Sequence, residues 1–374
     1  MIIAGETSGD LHGSLLVQEL KALRPDLEIY GVGGDLMRAQ GLELIYHIRE
    51  FSFMGIVEVL GHLPFIRSVM LRMTSLLRSR RPDLLVLIDY PGFNLRFARK
   101  AKRAGVPVVY YISPQVWAWG QGRVRQIRRL VKKMLVILPF EEEFYKRRRV
   151  PAAYVGNPLV DTAKPSVNRS EFFKAYGLDP ARHVIGLLPG SRHQEIEKIL
   201  PVMLGACEML REQDKSLQFA LALAPYVDRK RLVELVTASG LDVALVEDQP
   251  YDVMAHSRLV LAASGTATLE TGIIGTPMII VYKTSAPTYF IGKLLIRVPF
   301  IGLVNFVAGK QVIPEFVQSE ARPGAIFLMA QILIPDGQPR TAVLNELKKI
   351  KGLLGEPGAA GRAAREIIAL LSAR

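Results

Sequence analysis

The chain has 374 residues, 49% of them hydrophobic and 22% charged, with 48 Lys+Arg against 35 Asp+Glu and a formal charge of +13. That length suggests about two domains with sizeable cores, and the composition excludes a disordered or fibrous chain. The single cysteine, Cys207, cannot form an internal disulfide and no Cys/His spacing resembles a structural zinc site, so a stapled secreted fold is excluded and a reducing compartment is expected. The opening MIIAGETSGD lacks the basic-then-apolar order of an export signal. Glu58, Arg67 and Arg72 break one greasy stretch, and Lys293 and Arg297 the other, so no run of about twenty apolar residues remains and a chain that does not span a membrane is expected.

Short apolar runs predict strands at 2–4, 27–32, 84–88, 108–112, 134–138 and 153–155, separated by helical periodicity near 10–24, 65–80, 94–104, 123–132 and 140–148. This β-α-β-α rhythm belongs to a mostly parallel, helix-covered sheet. A polar stretch around Lys164-Pro165-Ser166 precedes a second series of strands near 184–188, 217–224, 243–246, 259–262 and 277–282. The helix after the first of these puts Ile196, Ile199, Leu200, Met203, Leu204, Cys207 and Leu210 on one face, which makes Cys207 a core residue rather than a nucleophile. The expected organisation is α/β: a Rossmann-like parallel-sheet domain over 1–164, a second over 165–338, and C-terminal helices over 339–374, with the two domains facing a central cleft. Ligands of such sheets bind at the carboxyl ends of the strands, so the loops that follow strands are where chemistry is expected.

The basic charge is uneven: residues 51–150 hold 20 basic and 6 acidic side chains, concentrated at Arg78, Arg80 and Arg81, from Arg123 to Lys133, and from Lys146 to Arg149. Such a field attracts nucleic acid, an anionic membrane surface or a phosphorylated substrate, although solvated helix faces carry similar runs.

The first strand runs into Ala4-Gly5-Glu6-Thr7-Ser8-Gly9-Asp10, a small-residue turn that opens a helix and offers free N–H groups to an anion. Ser8 and Asp10 also suit helix capping; Glu6 does not, and is a candidate catalytic acid. The strand at 84–88 ends in Ile88-Asp89-Tyr90-Pro91-Gly92-Phe93-Asn94. An acid leaving an apolar strand is partly desolvated, which raises its pKa toward that of a general base, so Asp89 is the base candidate. Ser113 to Trp119 holds both tryptophans, which could wedge between domains or line a sugar or lipid pocket.

In the second domain Leu188-Pro189-Gly190-Ser191-Arg192 joins a strand to a helix. A glycine turn with an arginine suits a diphosphate, which assigns Gly190, Ser191 and Arg192 to phosphate binding, although the GK[ST] ending of a P-loop is missing. Ser264, Gly265 and Thr266 open another helix after a strand, and Glu270 follows one to two turns in, where a carboxylate can hold ribose hydroxyls. Phosphates at the helix start and a ribose just beyond make one nucleotide site. With no Asp-x-Asp triplet and no paired histidines, metal-assisted phosphate chemistry is not expected, and Arg192 with the helix dipoles would stabilise the leaving group.

Taken together, AGETSGD at 4–10, MGIVEVL at 54–60, IDYPGFN at 88–94, SPQVWAW at 113–119, LPFE at 138–141, LPGSR at 188–192 and ASGTATLE at 263–270 resemble the lipid-A-disaccharide synthases. The resemblance covers nearly the whole chain and continues into Asn305-Phe306-Val307-Ala308-Gly309 and Pro314-Glu315-Phe316-Val317-Gln318. It implies a GT-B glycosyltransferase that joins UDP-2,3-diacylglucosamine to 2,3-diacylglucosamine 1-phosphate, releases UDP and needs neither metal nor cofactor. It also implies that Asn305 and Gln318 belong to the UDP-sugar site, and it makes a homodimer plausible.

The stretch Phe51 to Met73 holds too many apolar residues for one buried stripe and is flanked by basic ones, so Met54, Ile56, Val57, Val59, Leu60 and Leu63 are expected to meet acyl chains or the bilayer surface, with 289–307 a second such segment. The basic field then reads as attraction to an anionic inner-membrane surface, with the enzyme peripheral on its cytoplasmic face. Competing readings are another GT-B enzyme on UDP-GlcNAc, either a peptidoglycan-precursor transferase or a UDP-sugar epimerase, and a nucleic-acid- or lipid-binding protein without catalysis. The acyl-friendly stretch argues against the first pair, and the lack of any aromatic between Arg123 and Lys133 argues against nucleic acid. A noncatalytic lipid binder would have no need of the nucleotide loops.

Overall fold

The apolar runs of the N-terminal part form a seven-stranded, wholly parallel sheet of β1 (Ile2–Ala4), β2 (Tyr30–Gly33), β3 (Glu43–His47), β4 (Leu85–Ile88), β5 (Val108–Tyr111), β6 (Lys133–Val136) and β7 (Ala152–Tyr154). Their spatial order is β3-β2-β1-β4-β5-β6-β7. The central strands are buried on both faces, as a helix-covered parallel sheet requires. On one face Ile3, Leu85, Leu87 and Tyr110 pack against Val69 and Met73 of the helix Leu63–Ser79 and Phe97 and Ala98 of the helix Pro91–Arg103. On the other, Ile2, Val86, Ile88 and Val109 pack with Leu16 and Leu20 of the helix Thr7–Leu23.

The computed structural model describes residues 1–51, 63–118, 120–224, 227–285, 289 and 299–372. They divide into one unit of Met1–Pro158 with Glu356–Arg374 and a second of Leu159–Gly355. The block expected as C-terminal helices over 339–374 is thereby split. The helix Gln338–Leu353 stays with the second unit, where Leu347 and Ile350 are buried. The helix Ala359–Ser372 returns to the first unit, burying Ala363, Ala364 and Ile367 beside Leu16, Val17 and Leu20. Arg362 donates to the Val155 carbonyl at 2.7 Å, and Lys133 pairs with Glu366 at 2.6 Å.

The second unit carries a six-stranded parallel sheet of β8 (Val184–Leu188), β9 (Gln218–Leu223), β10 (Val243–Glu247), β11 (Leu259–Ala263), β12 (Met278–Tyr282) and β13 (Glu315–Val317), in the order β10-β9-β8-β11-β12-β13. Cys207 lies fully buried on the helix His193–Gln213 among Met203, Leu204 and Leu210, the core position its spacing predicts. The edge strands β3 and β13 escape the sequence reading for a common reason. They are half-exposed, and each carries only a brief apolar run, Leu44-Ile45-Tyr46 and Phe316-Val317, bounded by polar or charged residues.

Counting strands within each unit, both sheets run 3-2-1-4-5-6 from one edge, the doubly wound order. The chain reverses direction across the sheet between β1 and β4 in the first unit and between β8 and β11 in the second. Ligands bind at the carboxyl ends of strands at such switch points. Among the described residues no helix is long and apolar enough to cross a membrane.

Candidate active site

In the first unit the switch point brings together the two loops whose acids stood out in the sequence. The loop after β1 carries Glu6, exposed at the start of the helix Thr7–Leu23 without a side-chain capping bond. The loop after β4 carries Asp89 and Tyr90, both left-handed, with φ of 43° and 46°. Such backbone costs of order 1–3 kcal/mol for a non-glycine residue and persists only where its surroundings impose it. Here Asn94, fully buried, donates to the carbonyls of Ile88 at 3.1 Å and Asp89 at 2.7 Å, and the Tyr110 hydroxyl donates to the Asp89 carbonyl at 2.5 Å. The Tyr90 ring lies on Gly5, where a Cβ would come within 2.2 Å of it, so glycine is required for the two loops to meet. Burial pushes the Asp89 carboxyl up to about 6, and the neighbouring Glu6 charge adds to the rise. That is the range of a working general base.

Two further strand exits complete this edge. Ile112 after β5 is left-handed at φ 62°, and the loop beyond it packs inward. Trp117 is buried edge-on against Phe140, with ring centroids 4.9 Å apart, and donates its indole N–H to Glu141 at 3.1 Å. Glu141, 1% exposed, also accepts from the Leu138 N–H at 3.0 Å, yet desolvation outweighs both bonds and pushes it up to about 7. Trp117 is thus a packing residue, and Trp119 lies outside the described residues.

In the second unit the switch point opens into a cavity of about 590 Å³. Gly190, Ser191 and Arg192 after β8 line it together with Ser264, Gly265, Thr266 and Glu270 after β11. Loops 75 residues apart, each suited to phosphate or ribose on its own, therefore form one pocket of nucleotide size. Gly190 sits at φ 104°, which only glycine adopts readily. Tyr251 donates to Glu270 at 2.9 Å, fixing the carboxylate in the pocket, and desolvation raises the Glu270 pKa. Arg192, with 77% of its side chain exposed, pairs with Glu195 at 2.8 Å.

The family description "Lipid-A-disaccharide synthetase" matches residues 1–356 of this chain. The lipid-A-disaccharide synthase of Geobacter sulfurreducens is 45% identical over 99% of this chain and 97% of its own length, and that of Myxococcus xanthus is 43% identical over the same shares. The chain belongs to the lipid-A-disaccharide synthase family. It is a glycosyltransferase of lipid A biosynthesis. Among solved structures, the UDP-GlcNAc 2-epimerase of Neisseria meningitidis bound to UDP-GlcNAc is similar at TM-score 0.65 and 14% identity over 98% of both chains. CalG4, the calicheamicin glycosyltransferase, gives 0.63 and 18% over 100% of this chain and 97% of that one. These likenesses concern the fold, which is GT-B.

Two residues that the family resemblance assigns to the UDP-sugar site do not line the cavity. Asn305 is wholly buried and its amide is committed to the chain: it accepts from the N–H groups of Val312 and Ile313 and donates to the Ile313 carbonyl and to Glu315. Glu315 in turn holds the N–H groups of Ile301 and Gly302, and the Ile301 carbonyl accepts from the Ser264 hydroxyl at 2.8 Å. Asn305 is thereby linked to the cavity through Glu315, Ile301 and Ser264. Gln318, left-handed at φ 53°, exchanges hydrogen bonds with the Thr284 backbone. In this synthase Met54, Ile56, Val57, Val59 and Leu60 lie outside the described residues, and of Leu63 only its place at the start of a helix is described. Asn94, Tyr110, Glu141, Glu195 and Tyr251 have no assigned role in the sequence reading. Asn94 and Glu141 close the motifs IDYPGFN and LPFE, and Glu195 stands where a capping-box acid would, three residues after Arg192.

Proposed function

We propose that the protein joins UDP-2,3-diacylglucosamine to 2,3-diacylglucosamine 1-phosphate in one displacement that inverts the anomeric carbon. The cavity of the second unit carries this reading, because its two glycine-turn loops and its tethered carboxylate match the parts of a nucleoside diphosphate. The UDP moiety would take Gly190 to Arg192 and Ser264 to Thr266 with its diphosphate and Glu270 with its ribose. Asp89 would accept the proton of the acceptor 6-hydroxyl, whose oxygen bonds to the anomeric carbon while the bond to the β-phosphate breaks. Arg192 and the helix-start N–H groups would stabilise the departing charge. Glu6 would act through its charge on Asp89, and Asn305 and Gln318 by holding the loops behind the pocket. Of segment 51–73, Met54, Ile56, Val57, Val59, Leu60 and Leu63 would meet acyl chains at the cytoplasmic face of an anionic inner membrane, where the basic field draws the protein, while Val69 and Met73 stay in the core of the sheet. The deciding assay supplies UDP-2,3-diacylglucosamine with and without the acceptor phosphate and measures UDP. Acceptor-dependent release is expected, and its absence would overturn the assignment.

A further inference from the structure

Glu195 lines the nucleotide cavity and, like Asp248, has no part in the proposed reaction. It sits on the phosphate-binding loop itself. Its Oε2 accepts from the N–H groups of both Ser191 and Arg192 at 3.3 Å, and its Oε1 takes the Arg192 guanidinium at 2.8 Å. A Cβ on Gly190 would come within 2.4 Å of Oε2, so the carboxylate lies flat against the glycine turn, where an anion oxygen would rest. The donors that suit this loop to a diphosphate are thus already taken by an anion of the chain's own.

We propose that Glu195 is an internal occupant of the phosphate seat, which a nucleoside diphosphate must displace, and that this competition sets how strongly the site depends on the ligand's phosphate charge. The inference rests on the reading of the cavity as the UDP site. Its physical basis is the weakness of the internal contact. The two backbone bonds are longer than the usual 2.9–3.0 Å of a good N–H···O bond, and the Arg192 side chain is 77% exposed, where an ion pair is worth little. A diphosphate brings more charge and more acceptor oxygens to the same donors and can replace the carboxylate. A ligand without phosphate leaves Glu195 in place and gains nothing from the loop. The consequence is selectivity by replacement: the seat never stands as an unpaired cluster of donors, and only a strongly anionic ligand recovers them.

The test measures binding of UDP and of uridine by calorimetry to the full chain, to Glu195→Gln, which keeps an acceptor oxygen for the helix start, and to Glu195→Ala. Removing an exposed ion pair and a helix-start carboxylate should tighten UDP binding by about threefold to tenfold, more for Ala than for Gln, and leave uridine binding unchanged. Equal or weaker UDP binding in both variants would overturn the proposal and leave Glu195 a helix cap or a ligand contact. Tightening of uridine as much as of UDP would also overturn it, since the effect would then not pass through phosphate. If the unaltered protein binds no UDP, the nucleotide reading itself fails, and this inference with it.

Discussion

Asp89 combines a strained backbone with a desolvated carboxyl, and both follow from its place one residue beyond the buried strand β4. As the proposed base, its replacement by alanine should lower turnover by about 10²–10⁴ while UDP binding survives. A base works deprotonated, so the rate should rise about tenfold per pH unit up to about 6 and level off above it. Because the Glu6 charge contributes to that elevated pKa, Glu6→Gln should move the inflection to lower pH in a pH–rate profile. Glu141 bears on stability instead. Its folded pKa is raised from 4.5 to about 7, so the native state holds its proton more tightly than the unfolded chain does. Stability should therefore fall as pH rises through that window, and Glu141→Gln should flatten the slope in urea denaturation across pH 4.5–7. The burial that singles out Asp89 is readable from an apolar run ending in an acid. The burial of Glu141 is not, because it depends on Trp117 folding in from another strand exit.

Asp10 shows what changes between residue and element. Its side chain suits a cap, and the structure uses it as one, but not for its own helix. It accepts from the N–H groups of Gly34 at 2.7 Å, Leu36 at 3.2 Å and Met37 at 3.1 Å, and so caps the helix Asp35–Ala39 after β2. Capping chemistry is written in the residue type, whereas the partner is chosen by the sheet order that sets β2 beside β1. Asp10→Ala would leave these donors without their acceptor and should cost about 1–3 kcal/mol in chemical denaturation. The nucleotide loops teach the same lesson. Each is visible as a strand running into small residues and a helix, but only the pairing of β11 with β8 makes them neighbours.

At the scale of the molecule, the helix Ala359–Ser372 belongs with a sheet whose last strand ends some 200 residues earlier in the chain. Its alanine-rich buried face carries no mark of which sheet it will cover. Truncation after Gly355 would uncover Leu16, Val17 and Leu20 and remove the bond from Arg362 to Val155. The first unit should lose at least about 3 kcal/mol, read as an earlier unfolding transition, while the second unit keeps its own. The basic excess of residues 51–150 makes a different kind of claim, about where the molecule resides. Binding to vesicles rich in anionic lipid should weaken steeply with salt, since the screening length falls from about 10 Å at 0.1 M to about 3 Å at 1 M. Binding indifferent to salt would remove electrostatic attraction from the account.

By itself the sequence determined the fold class, most of the strands, the core role of Cys207, the family, and which loops after strands carry the glycine turns, acids and arginine of the proposed site. These rest on local pattern: runs of apolar residues, glycine turns, and acids or arginines directly after strands. The tertiary structure alone decided that the loops after β8 and β11 share one cavity, that the loops of Glu6 and Asp89 meet through Gly5 and Tyr90, that Asn305 is linked to Ser264 through Glu315 and Ile301, and that Glu195 bonds the Ser191 and Arg192 N–H groups. Each of these depends on which strands lie side by side, and that order is settled by packing between segments far apart in the chain, where local pattern carries no information.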